Sequence, residues 1–358
     1  MNQAIAARRL QNQRLASPSE RSAVSLVSWL GAVQAQEFGP ARWGLGVRLP
    51  ASCTDADIAR AFDDGRILRT HVMRPTWHFV PRDDIRWMLA LTAPRVHQRM
   101  APYNKRLGLA ARLLTRAASI LERAVAGGRF LTRPELQAEL ARAGIDASTQ
   151  RLGHIVMYAE LEQILCSGPR RDRRSTYALL AERAPNTRPL PRDEALALLG
   201  KRFFQSHGPA TVRDFVWWSG LTTADARRAL EMNRARSETI DGLTYWTLPG
   251  RSGRDVTPRD VHLLPIYDEY VVAYRDRAAV PLGPTVTRWA AGPATFRHAL
   301  IVAGQIAGTW FTAAKEGALE IEIAPFARPS PATRTALGEA AERYGRFVGV
   351  QTTIRFRR

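Results

Sequence analysis

Apolar positions in the middle of the chain recur at helical spacing in short blocks, and each group of blocks ends in two short runs joined by a polar turn. A helix is predicted over residues 113–126, stopped by Gly127-Gly128. Thr132-Arg133-Pro134-Glu135 then reads as a capping box, in which hydroxyl and carboxylate satisfy the open N–H groups of a short helix that ends at Gly144. A third helix begins near Ser148 and carries Leu152, Ile155, Val156, Ala159 and Leu161 at roughly helical spacing. It runs directly into residues 164–166, the turn 168–174 and the run 176–180, which together predict a β-hairpin.

The pattern repeats. Residues 193–206 predict a helix, Thr211-Val212-Arg213-Asp214 caps a second one bearing Phe215, Val216 and Trp218, and Thr222-Thr223-Ala224-Asp225 starts a third. Its hairpin turns at Asp241-Gly242, a strong short-range turn signal between apolar runs. A looser copy lies at the N-terminus: helices over 4–15 and 19–33, an irregular stretch 34–50, a helix over 54–62, and strands at 66–69 and 77–80. Three helices followed by a hairpin make a winged helix. From residue 261 the period changes to two, at 262–267, 295–302, 305–311 and 319–324, which predicts a small β unit closed by a helix over 331–347. The expected fold class is mainly α with β-hairpins (α+β), built from tandem winged-helix units and a C-terminal β unit. The expected spans are 1–105, 106–185 and 186–258 for three winged-helix units and 259–358 for the β-rich unit with its closing helix. The Pro-rich stretch 184–191 reads as a linker.

Composition narrows the partners. The 358 residues are 45% hydrophobic and 24% charged, which suits a globular chain of several domains and excludes collagen and disulfide-stapled miniproteins. The formal net charge is +19, and all of the basic residues except Lys105, Lys201 and Lys315 are arginines. Such an excess attracts a polyanion, so nucleic acid is the first partner to test. Cys53 and Cys166 sit in unrelated segments without C-x-x-C spacing, which disfavours a zinc ribbon or an iron–sulfur cluster and fits a reducing cytoplasm. His71 and His78 have no third ligand at metal spacing. No run approaches the length of a bilayer span, so the expected location is cytoplasmic, on the nucleoid when bound to DNA.

Several residues are candidates for chemistry. Arg170, Arg171, Arg173 and Arg174 would sit on one hairpin tip, where four guanidinium groups can bridge phosphates. The terminal Arg355, Arg357 and Arg358 read equally well as phosphate contacts or solvated ends. Gln34-Ala35-Gln36 leaves an apolar helix with two amides on the same side, and two carboxamides can hold one water without adding charge. From these residues alone, two polar loop side chains account for the pattern as well.

The combination of Gln34-Ala35-Gln36, Arg74-Pro75-Thr76-Trp77-His78-Phe79-Val80, Gly208-Pro209-Ala210-Thr211 with Asp214-Phe215-Val216-Trp217-Trp218-Ser219-Gly220, and Leu264-Pro265-Ile266-Tyr267-Asp268-Glu269-Tyr270 changes that balance. In this order the four motifs resemble the winged-helix DNA glycosylases of the AlkZ and AlkX type, over about residues 7–326. The resemblance implies a concave DNA-binding scaffold and a monofunctional enzyme that excises N7-alkylated purines from double-stranded DNA and unhooks interstrand crosslinks or bulky natural-product adducts. It also implies action as a monomer without cofactor or metal. Gln36, where the AlkX type has Asp, implies the AlkZ branch, with Gln34 and Gln36 positioning the hydrolytic water. It further implies that Arg74 and His78 lie near the DNA channel, Arg74 towards phosphate. His78 reads equally as a core histidine bonded to a carbonyl. Asp268 and Glu269, adjacent on an expected strand, would point apart; Asp268 reads as structural or as an arginine's partner. Trp217 and Trp218 read as core. The scarcity of lysine argues against a Schiff-base lyase step. The competing function is a non-catalytic winged-helix DNA-binding regulator, which explains the charge but not the amide pair.

Overall fold

Ser22, Thr54, Thr132, Thr211 and Thr222 each close a capping box, so five hydroxyls fix where five helices begin. The structure, a computed structural model, describes residues 2–185, 187–249, 256–275 and 297–357.

The N-terminal group runs α1 (Asn2–Asn12), α2 (Ala23–Leu30), β1 (Val33–Gln34), α3 (Phe38–Gly46), α4 (Asp55–Asp63), β2 (Ile67–His71) and β3 (Trp77–Pro81). The stretch expected to be irregular is therefore a short strand and a helix. Two of the α3 glycines serve packing: a Cβ at Gly46 would stand 2.4 Å from the Phe347 ring, and one at Gly44 would meet Pro265 and Asp268 at 3.4 Å. The strands pair antiparallel in the order β1-β3-β2, with Gln34 opposite His78 and His78 opposite Thr70. Helix α5 (Ile85–Arg106) follows; the sequence reading missed it, and Pro94 and Pro102 lie inside it.

The middle group contains α6 (Ala111–Val125), β4 (Leu131–Thr132), α7 (Arg133–Arg142), α8 (Gln150–Leu161), β5 (Leu165–Ser167), β6 (Thr176–Leu179) and α9 (Leu180–Arg183), with strand order β4-β6-β5. The next contains α10 (Arg192–Ser206), α11 (Val212–Ser219), α12 (Thr223–Met232) and the hairpin β7 (Arg236–Ile240) to β8 (Leu243–Thr247). The C-terminal group has β9 (Val261–Leu264), α13 (Glu269–Val272), β10 (Ala299–Val302), β11 (Gln305–Lys315), β12 (Ala318–Pro325), α14 (Pro331–Val348) and β13 (Gln351–Phe356). Its sheet has the order β13-β12-β11-β10-β9, and β13, absent from the sequence reading, pairs parallel to β12. That pairing sets Arg355 and Arg357 beside Glu320 and Glu322. Arg358 and the expected strand start at 295–296 lie outside the described residues. The architecture is thus mixed α/β, with small sheets among helices and one five-stranded C-terminal sheet.

The hydrophobic cores cut across the predicted spans. One joins Leu26, Phe62 and Phe79 to Leu263, Trp310 and Phe347, so the two ends of the chain close on each other. A second joins Val72, Met73 and Trp87 to Phe203, Trp218 and Tyr274, whereas a third stays within the middle group around Leu121, Leu140 and Ile155. The first two cores meet at β1 and its neighbours.

Candidate active site

Helix α2 ends at Gly31, whose φ of +85° suits glycine and whose lack of a side chain admits the Trp218 ring, since a Cβ there would stand 3.2 Å from it. The chain then extends as β1. The Gln34 N–H donates to Glu269 Oε1 at 2.7 Å, and the Ala35 N–H donates to the Trp77 carbonyl at 2.7 Å. Strand β1 ends at Gln34, Ala35 is fully buried, and Gln36 lies in the bend that follows.

Gln34 is 7% exposed, and Arg74 Nη2 donates to its Oε1 at 2.8 Å. A guanidinium can only donate, so the carboxamide oxygen must be the atom that faces it. Gln36 is half-buried, and its Oε1 lies 3.5 Å from the Trp77 amide nitrogen, too long for a strong bond. What holds this turn is Arg69, which the sequence reading passed over: its Nε donates to the Ala35 carbonyl at 2.8 Å, its Nη2 to the Gln36 carbonyl at 3.1 Å, and it lies 4.4 Å from the Trp77 ring centre.

Arg74, expected to lean towards phosphate, is instead 8% exposed and directed at Gln34. Burial pulls its pKa down, while the charge of Glu269 acts in the opposite direction. His78, expected beside DNA or in the core, is in the core: it is fully buried, with Nδ1 2.9 Å from the Thr76 carbonyl. Burial, reinforced by the Arg74 charge, lowers its pKa to about 3, so the ring is neutral near pH 7 and supplies no cation to a phosphate.

Asp268 and Glu269 lie at the start of helix α13 and not on the expected strand, and they have separate partners. Asp268 takes a bidentate pair from Arg48, both bonds at 2.7 Å, and caps α13 by accepting from the Tyr270 N–H. Glu269, which the sequence reading left without a role, is a buried hub. Its Oε1 holds the Gln34 N–H, and its Oε2 accepts from Trp218 Nε1 at 3.0 Å and lies 3.3 Å from His207 Nε2. Burial alone would raise its pKa, but the hydrogen bond and charge of His207, the Gln34 amide and Arg74 outweigh that and hold it at about 2. The clue in the sequence was its place in the Pro265–Tyr270 motif; no short-range spacing points from 269 to 34.

The tryptophans divide. Trp218 is fully buried, as expected, but Trp217 is 39% exposed and corrects the core assignment. Its Nε1 donates to the Val272 carbonyl at 2.9 Å, and the guanidinium groups of Arg275 and Arg74 lie 5.5 and 5.8 Å from its ring centre.

The arginine-rich turn is also partly committed. Arg170 forms a fork on Asp63, with Nε at 3.2 Å and Nη2 at 2.8 Å, and its own backbone N–H adds a third bond. Arg171 reaches Glu135 at 2.5 Å. Arg170 and Arg171 thus tie the turn to α4 and α7, and Arg171, Arg173 and Arg174 are exposed.

A family described as DNA glycosylase AlkZ-like matches residues 27–347. The chain is 25% identical over 326 residues to the interstrand DNA cross-link repair glycosylase of Streptomyces sahachiroi, a match covering 84% of this chain and 85% of that protein. The solved structure of Streptomyces sahachiroi DNA glycosylase AlkZ shares the fold, with a TM-score of 0.81 over 99% of both chains at 22% identity. With the family match running through β1, the β2–β3 hairpin, α11 and α13, this chain belongs to the AlkZ-like DNA glycosylase family.

Proposed function

We propose that the protein is a monofunctional DNA glycosylase of the AlkZ branch that hydrolyses the N-glycosidic bond of N7-alkylated purines in duplex DNA, including those in interstrand crosslinks and bulky natural-product adducts. The observation that carries the reading is the Gln34 carboxamide, held by Arg74 through its oxygen on a strand anchored by Glu269. One Oε1 lone pair faces Arg74; the other accepts a hydrogen bond from the attacking water. Alkylation at N7 makes the purine a cationic leaving group, so when the C1′–N9 bond breaks its electron pair neutralises the base. The water oxygen bonds to C1′, and its surplus proton leaves to solvent. No strong general base is required; orientation of the water and a site that tolerates positive charge on the sugar are. The buried Glu269 carboxylate serves the second need by offsetting the Arg74 charge.

The three helix-then-hairpin groups are read as winged helices that frame the duplex in a concave surface, within a protein acting as a monomer. A crosslinked base cannot be extruded into a closed pocket, so an open surface suits it. The name of the Streptomyces sahachiroi relative, which specifies cross-link repair, supports the same substrate class. No lyase step is expected: Lys105 and Lys201 are exposed on α5 and α10, and Lys315 pairs with Glu320. The test is incubation with duplexes carrying N7-methylguanine or a nitrogen-mustard crosslink. Alkali-labile abasic sites, without strand cleavage before alkali and without borohydride trapping, are expected. Tight binding to undamaged duplex with no abasic product would instead identify a regulator.

A further inference from the structure

On the sheet β1-β3-β2, Gln34 lies opposite His78 and His78 opposite Thr70, so three polar side chains form one row on one face. Directly opposed Cβ atoms stand about 5 Å apart, a spacing that one small molecule can bridge. His78 and Thr70 are both fully buried. The His78 Nδ1 faces the Thr76 carbonyl, which can only accept, so Nδ1 carries the proton and Nε2 of the neutral ring is a bare lone pair. That Nε2 has no protein partner, and neither does Oγ1 of Thr70, the residue paired with His78 across the hairpin; Arg74 Nε and Thr76 Oγ1, on the turn of the same hairpin, are in the same condition. Buried polar atoms are almost always satisfied by protein or by ordered water, and water occupies interior sites where two to four polar groups converge. At the head of the row, Gln34 turns its oxygen to Arg74, which leaves its NH2 group as a donor.

We propose that His78 and Thr70 hold a buried water against the NH2 group of Gln34, which makes His78 a positioning residue of the hydrolytic site and not a DNA contact. The proposal rests on the glycosylase reading and supplies what that reading lacks, a reason for the carboxamide to keep one orientation. The water accepts from Gln34, donates to His78 Nε2 and shares a hydrogen bond with the Thr70 hydroxyl. Arg74 fixes one end of the amide and the water the other, so the remaining Oε1 lone pair stays aimed at the nucleophile. Both neighbours are needed, because a carboxamide bonded only through its oxygen still rotates about that bond.

Thr70→Val keeps the shape of the side chain and removes its hydroxyl, whereas Thr70→Ser keeps the hydroxyl. In single-turnover release of N7-methylguanine from duplex, the full-length Thr70→Val protein is expected to be slower by about tenfold, the cost of one lost hydrogen bond, with DNA affinity unchanged. Thr70→Ser should recover most of the rate. His78→Gln, which returns an acceptor near the Nε2 position, should exceed His78→Leu in rate. A Thr70→Val protein that is as fast as wild type and more stable would overturn the proposal, because an idle buried hydroxyl is improved by a methyl group. A readout independent of catalysis is the nitrogen NMR spectrum of the imidazole. The water site requires a proton on Nδ1 and a hydrogen-bonded, unprotonated Nε2 from pH 5 to 8, and a proton on Nε2 would contradict it. Should wild-type protein release no base, the glycosylase reading fails, and the imidazole spectrum still judges the water site on its own terms.

Discussion

Arg74 shows how far one side chain can depart from the role its charge suggests. In the sequence it is one arginine among many, beside a motif and within reach of a polyanion. In the fold, burial and the Gln34 oxygen commit it to the interior. The two roles give different kinetics. Arg74→Met is expected to slow base release by about tenfold or more, since hydrogen bonds from charged groups contribute about 1.5–3 kcal/mol, while DNA affinity and its salt dependence stay near wild type. A phosphate contact would instead weaken binding and flatten the salt dependence, with the bound-state rate preserved. Asp268 was legible as an arginine's partner from charge, whereas Gln34 and Gln36 became candidates only through the four-motif resemblance, because their spacing alone fits two polar loop side chains as well. Glu269 and Arg69 were not legible, because each depends on which distant backbone group arrives beside the side chain; for His78 the core reading was one of two equal alternatives, and only the fold around it decides between them.

At the scale of elements, hydroxyl caps were the most legible feature. Thr132, Thr211 and Thr222 mark helix starts from sequence alone, and the structure shows each with its partner acid three residues on. Helix α3 was hidden because Gly39, Pro40, Gly44 and Gly46 read as loop. Strand β13 was hidden because its partner β12 is reached only after α14. Helix α11 bears directly on the site through its last cap. Gly220 has φ of +73°, and a Cβ there would stand 2.2 Å from the Met73 carbonyl oxygen, one residue before Arg74. Gly220→Ala is therefore expected to lower stability by on the order of 2 kcal/mol, from left-handed backbone strain and a backbone clash together, as read from urea melts. It should also reduce base release, since the hairpin that carries Arg74 must move. A variant with wild-type midpoint and activity would show that α11 does not brace the hairpin.

Across the whole molecule, a net charge of +19 pointed to nucleic acid, yet some of the arginines behind it are structural: Arg9 donates to the Pro209 carbonyl and Arg48 grips Asp268, both from the interior. The same interior makes stability depend on pH. His78 is held at about 3 against an ordinary value of 6.5, and Glu269 at about 2 against 4.5. Both folded values are depressed, so the unfolded chain binds more protons on acidification. The associated stability is complete above the ordinary values and is lost as pH falls, through 6.5 to 3 for His78 and through 4.5 to 2 for Glu269. Thermal midpoints should begin to fall below about pH 6.5 and fall more steeply below about 4.5. A flat midpoint down to pH 4 would mean that His78 titrates in the folded protein as it does in water. The central claim is that a neutral amide pair delivers water to a sugar whose base is ready to leave. It is tested most directly by single-turnover release of N7-methylguanine from duplex by the Gln34→Ala, Gln36→Ala double variant. Near-complete loss of release, with native folding and DNA affinity, is the expected result; release at the wild-type rate would contradict the account.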